Sequence, residues 1–308
     1  MSQQSKSIPA LDVLIPHYND PSGLAKSLAS IQNQTWFGNM RVVIVDDGSD
    51  AIAYEKVAGI VTQSSLNVVL VRSEINRGRP VTRNALLDMI QAPFVAWLDA
   101  GDIWYPDKLT HQFKRLFTLI AGGARADQIW VSCHYDWKRV DRRRHTVQQT
   151  VEGDQVKSLL AGEKLRAYLW TVMGTRESFL RAGRFDDRLG RLQDLDYFLS
   201  FVRRGGQIFV PEDAGAQCCY FKEDVGRSAR EVGRCFALVF DKHRPAFAAH
   251  PRALERTCRT NANFVSARIA RFNRQRITQM FFLGRAFLRT PSLFVRRAIG
   301  AIAQRVST

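Results

Sequence analysis

The sequence predicts an α/β fold: a mainly parallel sheet flanked by helices, followed by a basic helical extension. Three observations carry this. Short apolar runs alternate with stretches of helical periodicity over the first hundred residues, three of those runs stop abruptly in polar or acidic turns, and positive charge gathers at the end of the chain. Strand and helix alternating at this spacing form βαβ units, which place the strands parallel with right-handed crossovers. The 308 residues, 45% hydrophobic and 24% charged, suit a folded domain of roughly 200 residues with an appendage.

Residues 11–15 (LDVLI) read as a first strand that runs into Pro16-His17-Tyr18-Asn19-Asp20. Asp20 suits a helix N-cap and Pro21 the first helical turn. Leu24, Leu28 and Ile31 then mark one helical face. A second strand over 41–45 ends at Asp46-Asp47-Gly48-Ser49-Asp50; a helix over 54–62 and a third strand over 67–71 follow. Beyond a polar loop at 73–80, Val81, Ala85, Met89 and Ile90 form a helical face. Phe94 to Leu98 is a continuous apolar run, as in a strand buried on both faces, and it ends in Asp99-Ala100-Gly101-Asp102. In a parallel sheet the loops after strands one, two and four share the carboxyl edge, where open α/β sheets bind ligands. Alone, Asp99-Ala100-Gly101-Asp102 reads first as a turn, with two hard oxygen ligands for Mg²⁺ or Mn²⁺ bridging to phosphate as the alternative. The G-x-G-x-x-G and G-x-x-x-x-G-K-[ST] phosphate-binding patterns do not occur at the expected positions, which leaves a dinucleotide fold and a P-loop unsupported.

Further on, the pattern predicts a helix over 106–120, a strand over 128–134 and a basic turn over 137–144 (WKRVDRRR). Gln193-Asp194-Leu195-Asp196 opens a helix whose apolar face is Leu195, Phe198, Leu199 and Val202 and whose last turn carries Arg203 and Arg204 before Gly205-Gly206. Asp194 and Asp196 read either as acids stabilising a helix N-terminus or as functional carboxylates.

Four phrases in this order, IPHYND, VVIVDDGSD, NRGRPVTRNALL and FVAWLDAGD-IWYPDKL, resemble the family 2 glycosyltransferases of the GT-A (Rossmann-like) fold. The resemblance spans residues 8–220. It implies an inverting transferase that moves a sugar from a nucleotide-diphosphate donor, most often a UDP-sugar, to a hydroxyl of a glycan or lipid-linked acceptor, as in cell-surface polysaccharide synthesis. By the same resemblance Pro16, Tyr18 and Asn19 line the base pocket and Asp46 and Asp47 hydrogen-bond the base. Arg83 lies near the base and diphosphate, and Asp99 and Asp102 form a metal motif for Mn²⁺ or Mg²⁺, Asp99 also touching the donor. Asp194 corresponds to the general base, Asp196 supports the helix or loop, and residues 165–174 underlie the acceptor. The chain departs from the commoner pattern twice: Gly101 replaces an aspartate and Gln193 a glutamate. A non-catalytic GT-A protein that binds nucleotide sugars or serves as a membrane scaffold is the alternative.

The resemblance divides the chain into a transferase domain over 1–222 and a basic helical region over 223–308. Of 45 Lys and Arg, 17 lie at or after Val225, against three of 29 acids (Glu231, Asp241, Glu255), so this end carries +14 of the net +16. Ile277, Met280, Phe281, Gly284, Phe287 and Leu288 form an apolar stripe, resumed after Thr290-Pro291 by Phe294, Ala298, Ile302 and Val306. Such helices either pack on the body or lie on an anionic membrane; no recognition motif points to nucleic acid as a partner. The five cysteines, odd in number and without C-x-x-C spacing, read as buried free thiols. The amino-terminal segment has too short an apolar stretch for a secretory signal, and no run reaches the roughly 18 residues that span a bilayer. The expected location is the cytosol, with peripheral attachment to the membrane as an extension of the tail reading.

Overall fold

A computed structural model describes residues 10–138, 144–221 and 228–297. The first half alternates as predicted: β1 (Ala10–His17), α1 (Pro21–Gln32), β2 (Asn39–Asp46), α2 (Ala51–Gln63), β3 (Asn67–Arg72), α3 (Arg79–Asp88) and β4 (Phe94–Trp97). Then come β5 (Ile103–Trp104), α4 (Lys108–Ala121), β6 (Ile129–Val131), β7 (His134–Lys138), β8 (His145–Val147), α5 (Gln155–Ala161), β9 (Met173–Thr175), α6 (Arg176–Ala182), α7 (Gln193–Arg203), β10 (Gln207–Phe209) and β11 (Ala216–Phe221). The chain continues through α8 (Ala229–Lys242), α9 (Arg244–Ala248), α10 (Arg252–Phe272) and α11 (Arg276–Arg289).

Seven strands form the main sheet in the order β10-β6-β9-β4-β1-β2-β3, and β5-β11-β7-β8 form a smaller one. In the main sheet β9 alone runs against its neighbours, pairing antiparallel with β4 and β6. The β1 strand is central: Leu14 is in register with Val43 on one side and Trp97 on the other, and all three are buried. Their apolar runs are continuous because helices cover both faces. This alignment brings His17 opposite Asp46 and starts the Asp99 loop just beyond Leu98, whose N–H donates to Leu14 O. The three acidic loops therefore share one edge.

The expected strand over 128–134 is corrected to two pieces. Residues 129–131 pair with β9 and β10, whereas His134 begins β7 in the smaller sheet. Ser132 and Cys133 make the transfer between sheets, a long-range choice that an unbroken apolar run does not reveal. Residues 139–143 of the basic turn, and Ala298, Ile302 and Val306 of the tail stripe, lie outside the described residues. All five cysteines are buried and unbridged, with the sulfurs of Cys133 and Cys218 at 3.3 Å.

Aromatic packing secures α7 under the sheet. Trp130 stacks on Phe201 at a centroid distance of 3.8 Å and contacts Phe179, Tyr197 and Phe198. Its indole N–H donates to Ser178 Oγ, so burial leaves no orphaned donor. The same core includes Cys235, Val239, Phe240, Phe247 and Cys258, so α8, α9 and α10 pack against the body. Asp196 reinforces that junction: it accepts from Lys242 Nζ at 2.7 Å and His243 Nε2 at 2.8 Å. Arg203 donates to the other His243 nitrogen, which leaves Nε2 to carry the proton toward Asp196. Among the described residues no helix is long and apolar enough to cross a membrane.

Candidate active site

Each acidic loop is organised by its own hydrogen bonds. Asp46 is fully buried and accepts from His17 Nδ1 (2.7 Å), Ser49 N (2.9 Å) and Ser49 Oγ (2.6 Å). His17 Nε2 accepts the N–H of Asp20, which selects the tautomer with its proton on Nδ1. Asn19 joins the first loop to the second: its N–H donates to Ser49 Oγ, and its side-chain oxygen accepts from Asp50 N. It does so at φ 49°, a left-handed conformation that Asn tolerates better than most side chains. Pro16, next to last in β1, is half-buried, while Tyr18 just past the strand is 50% exposed. An open depression of about 530 Å³ borders Asn19, Asp50, Ile52 and Lys56; Asp99, Asp102 and Asp194 are not among its walls.

Asp47 works one step further away. Its two oxygens accept from Arg77 N and Gly78 N, both at 2.9 Å, and so set the start of α3. Gly78, at φ 91°, lets the chain enter that helix from a conformation unfavourable to other residues. One turn in, Thr82, Arg83 and Asn84 are all buried. Asn84 fixes the segment ahead of α7 by exchanging hydrogen bonds with the Phe185 backbone.

Arg83 joins the third loop to α7. One terminal nitrogen donates to both oxygens of Asp99, at 3.0 and 3.2 Å, and the other donates to Asp194. Its side chain is 1% exposed, so the pairing lies largely out of water. Burial alone would lower the Arg83 pKa, but the charges of Asp194 and Asp99 drive it upward. Asp194 also accepts from Leu169 N at 3.1 Å. Both aspartates lie in the first turn of α7, as expected of acids at a helix N-terminus, but neither makes a side-chain cap: Leu192 precedes the helix at φ 63°, and Asp194 turns toward Arg83 and Leu169. A left-handed leucine beside a buried charge pair is the kind of local strain that accumulates at functional sites.

Asp99 and Asp102 differ in state. Burial opposes ionisation of Asp99, yet Arg83 and Arg79 hold its pKa below the usual carboxylate value. Asp102 is buried and pushed well above that value, first by desolvation and then by repulsion from Asp99, although Phe221 N donates to it. Two repelling carboxylates of this kind are the hard-oxygen donors a divalent cation favours. Among the described residues no group of three or more His, Cys, Asp or Glu forms a ready-made cage. The two aspartates thus fit an ion of the Mg²⁺ type that takes its remaining ligands from water and phosphate.

Ser27 of α1, which the sequence reading did not single out, holds this loop. Its hydroxyl donates to Asp102 O at 2.8 Å and accepts from Gly101 N at 3.0 Å. Gly23, one turn earlier, allows the approach: a Cβ there would lie 2.9 Å from Gly101 Cα and 2.0 Å from an Asp20 carboxylate oxygen. Gly101 itself sits at φ 96°, so its departure from aspartate goes with a backbone shape that favours glycine. The available signal was two small residues four apart on the buried face of α1. Trp170, within the 165–174 segment expected beneath the acceptor, is core: it is 2% exposed and stacks with Tyr168 and Tyr220.

The family described as "Glycosyl transferase family 2" matches residues 12–173, more than half of the chain. Among curated relatives, an uncharacterised glycosyltransferase of Methanocaldococcus jannaschii is 23% identical over 206 residues, covering 67% of this chain and 69% of the relative. The amylovoran biosynthesis glycosyltransferase AmsB of Erwinia amylovora is 28% identical over 188 residues, covering 61% and 62%. The succinoglycan biosynthesis protein ExoW of Rhizobium meliloti is 32% identical over 125 residues, but the match spans only 40% of this chain and 37% of that protein. Two solved structures share the fold. S. aureus TarS 1–349 superposes with a TM-score of 0.62 at 18% identity, covering 92% of this chain and 82% of that fragment. The mannosyltransferase PcManGT of Pyrobaculum calidifontis, solved with GDP-Man and Mn²⁺, gives 0.60 at 18% identity, covering 98% and 81%. The chain belongs to glycosyl transferase family 2 and has the GT-A architecture of a mostly parallel sheet between helices.

Proposed function

We propose that this chain is an inverting glycosyltransferase moving a sugar from a nucleotide-diphosphate donor, best a UDP-sugar, to a hydroxyl of a glycan or lipid-linked acceptor in cell-surface polysaccharide synthesis. The observation that carries this reading is the Asp99–Arg83–Asp194 bridge, which joins a carboxylate of the loop after β4 to one outside it. Asp99 and Asp102 would hold Mn²⁺ or Mg²⁺, which when bound neutralises charge on the diphosphate. Asp194 accepts the acceptor hydroxyl's proton as general base. The freed oxygen attacks the anomeric carbon from the face opposite the diphosphate, the bond from that carbon to the diphosphate oxygen breaks, and the configuration inverts. Arg83 positions Asp194 and adds positive charge near the departing diphosphate. Tyr18 offers an exposed ring on which the base stacks, beside Pro16 and Asn19. Asp46 and Asp47, whose oxygens already accept protein hydrogen bonds, contribute to the base site chiefly by holding those loops. Support for donor and metal classes comes from PcManGT, solved with GDP-Man and Mn²⁺, and from TarS, solved with UDP-GlcNAc.

The test is release of free nucleotide diphosphate from nucleotide sugars incubated with the protein and Mn²⁺. Asp194→Asn should keep UDP affinity and lower turnover by roughly 10²–10⁴-fold. Donor binding by a folded wild-type protein with no detectable release, with or without an acceptor mixture, would favour the non-catalytic alternative.

A further inference from the structure

The α11 helix presents two faces of opposite use. Phe282 and Ala286 are buried against α8 and α10 in a small cluster with Ala229, Ala267 and Ala270, which fixes the helix in place. The other side leaves Ile277 (85%), Met280 (72%), Phe281 (55%) and Leu288 (81%) exposed, with Phe287 about half so. These positions recur at helical spacing and form one contiguous apolar strip rather than scattered residues.

The surroundings of the strip are strongly positive, with Glu255 the one acid that acts on Arg289 of α11. No acidic residue follows Glu255, whereas eleven basic residues do, and every one is arginine. Arg268, Arg271, Arg274, Arg276, Arg285 and Arg296 are exposed. Crowding registers at Arg289, whose pKa is lowered first by burial and then by the charges of Arg259 and Arg285.

We infer that this face of α11 docks on an anionic lipid bilayer, with the apolar strip in the headgroup–acyl boundary and the arginines on lipid phosphates. Charge selects this occupant over a second copy of the chain: a two-fold contact through the same face would oppose arginine to arginine. It also selects it over nucleic acid, whose phosphates would satisfy the arginines but leave the apolar strip uncovered. At 14 residues, α11 lies along the surface and does not cross it. Arginine suits the task because its long stem lies on the apolar boundary while its planar head forks onto phosphate. The docked face connects to the candidate site through packed helices: α11 lies on α10, α10 on α8, and Lys242 at the end of α8 with the adjoining His243 holds Asp196 on α7.

Sedimentation with vesicles, without donor or acceptor, tests this independently of the catalytic reading. The full chain should pellet with phosphatidylcholine–phosphatidylglycerol vesicles and stay in solution with phosphatidylcholine alone. Raising NaCl from 0.1 to 0.5 M should release most of it, because surface electrostatics are screened. The Ile277→Ser/Met280→Ser/Phe281→Ser/Leu288→Ser variant, altered only at exposed positions, should keep its melting temperature yet partition about tenfold less. Arg274→Gln/Arg276→Gln/Arg285→Gln should lose the preference for anionic lipid. The proposal is overturned if wild type ignores phosphatidylglycerol vesicles, if the four-serine variant pellets equally, or if the serines abolish a solution dimer while vesicle binding is absent.

Discussion

Arg83 lies 3.0 Å from Asp99 through one terminal nitrogen, and its other terminal nitrogen is committed to Asp194. A single buried guanidinium thus sets the distance between a residue of the β4 loop and one in the first turn of α7. Removing it strands two carboxylates. Arg83→Met should lower unfolding free energy by ~3–5 kcal/mol, the range for breaking a buried ion pair. Arg83→Lys should recover only part, since an ammonium cannot fork to both partners. Urea denaturation measures both, and a loss below about 1 kcal/mol for Arg83→Met would mean that the bridge is effectively solvated.

Gly23→Ala tests the support beneath the loop. The added methyl would meet the Asp20 carboxylate at 2.0 Å and the Gly101 backbone at 2.9 Å, so the capping side chain must turn away and the loop must move as well. We expect ~1–3 kcal/mol of destabilisation, typical of overpacking, and weaker Mn²⁺-dependent nucleotide binding although no candidate ligand is changed. Thermal melts and calorimetric titration with UDP report the two effects separately.

Asp12, on β1 opposite Arg41 of β2, predicts a pH dependence. Burial would raise its pKa, but the Arg41 side chain and the N–H groups of Ala92 and Gln91 outweigh that and hold it below 3.8. A depressed carboxyl stabilises the fold fully above its unfolded pKa, and the contribution fades as pH falls through the lower folded value. Asp12→Asn should cost ~2–3 kcal/mol near neutrality and less than that below about pH 3, flattening the acid limb of the stability curve. Parallel curves for the two proteins down to pH 2 would sink this assignment.

Asp196→Asn should loosen the junction of α7 and α8. Its carboxylate receives Lys242 and His243 while only 1% exposed, so an amide leaves one of two donors poorly matched. Hydrogen exchange should accelerate along α8 while β1 keeps its protection. Unchanged α8 protection would show that apolar packing alone holds that helix.

What the sequence by itself determined was local and periodic. The continuous runs of β1, β2 and β4, the helices between them and the order of the acidic loops were all readable, because strand and helix periods write themselves into neighbouring residues. Tertiary structure decided what the carboxylates meet. Asp46 and Asp47 are consumed by imidazole, backbone and hydroxyl donors, Asp194 faces an arginine 111 positions away, and Asp196 faces α8. It also divided 128–134 between two sheets and chose which side of α11 packs. An aspartate two places into a helix looks the same in sequence whether it caps, pairs or reacts. Only the partners brought across the fold set its direction and pairing, because electrostatic and hydrogen-bond energies depend on separation in space and exclusion of water, neither of which is encoded by position along the chain.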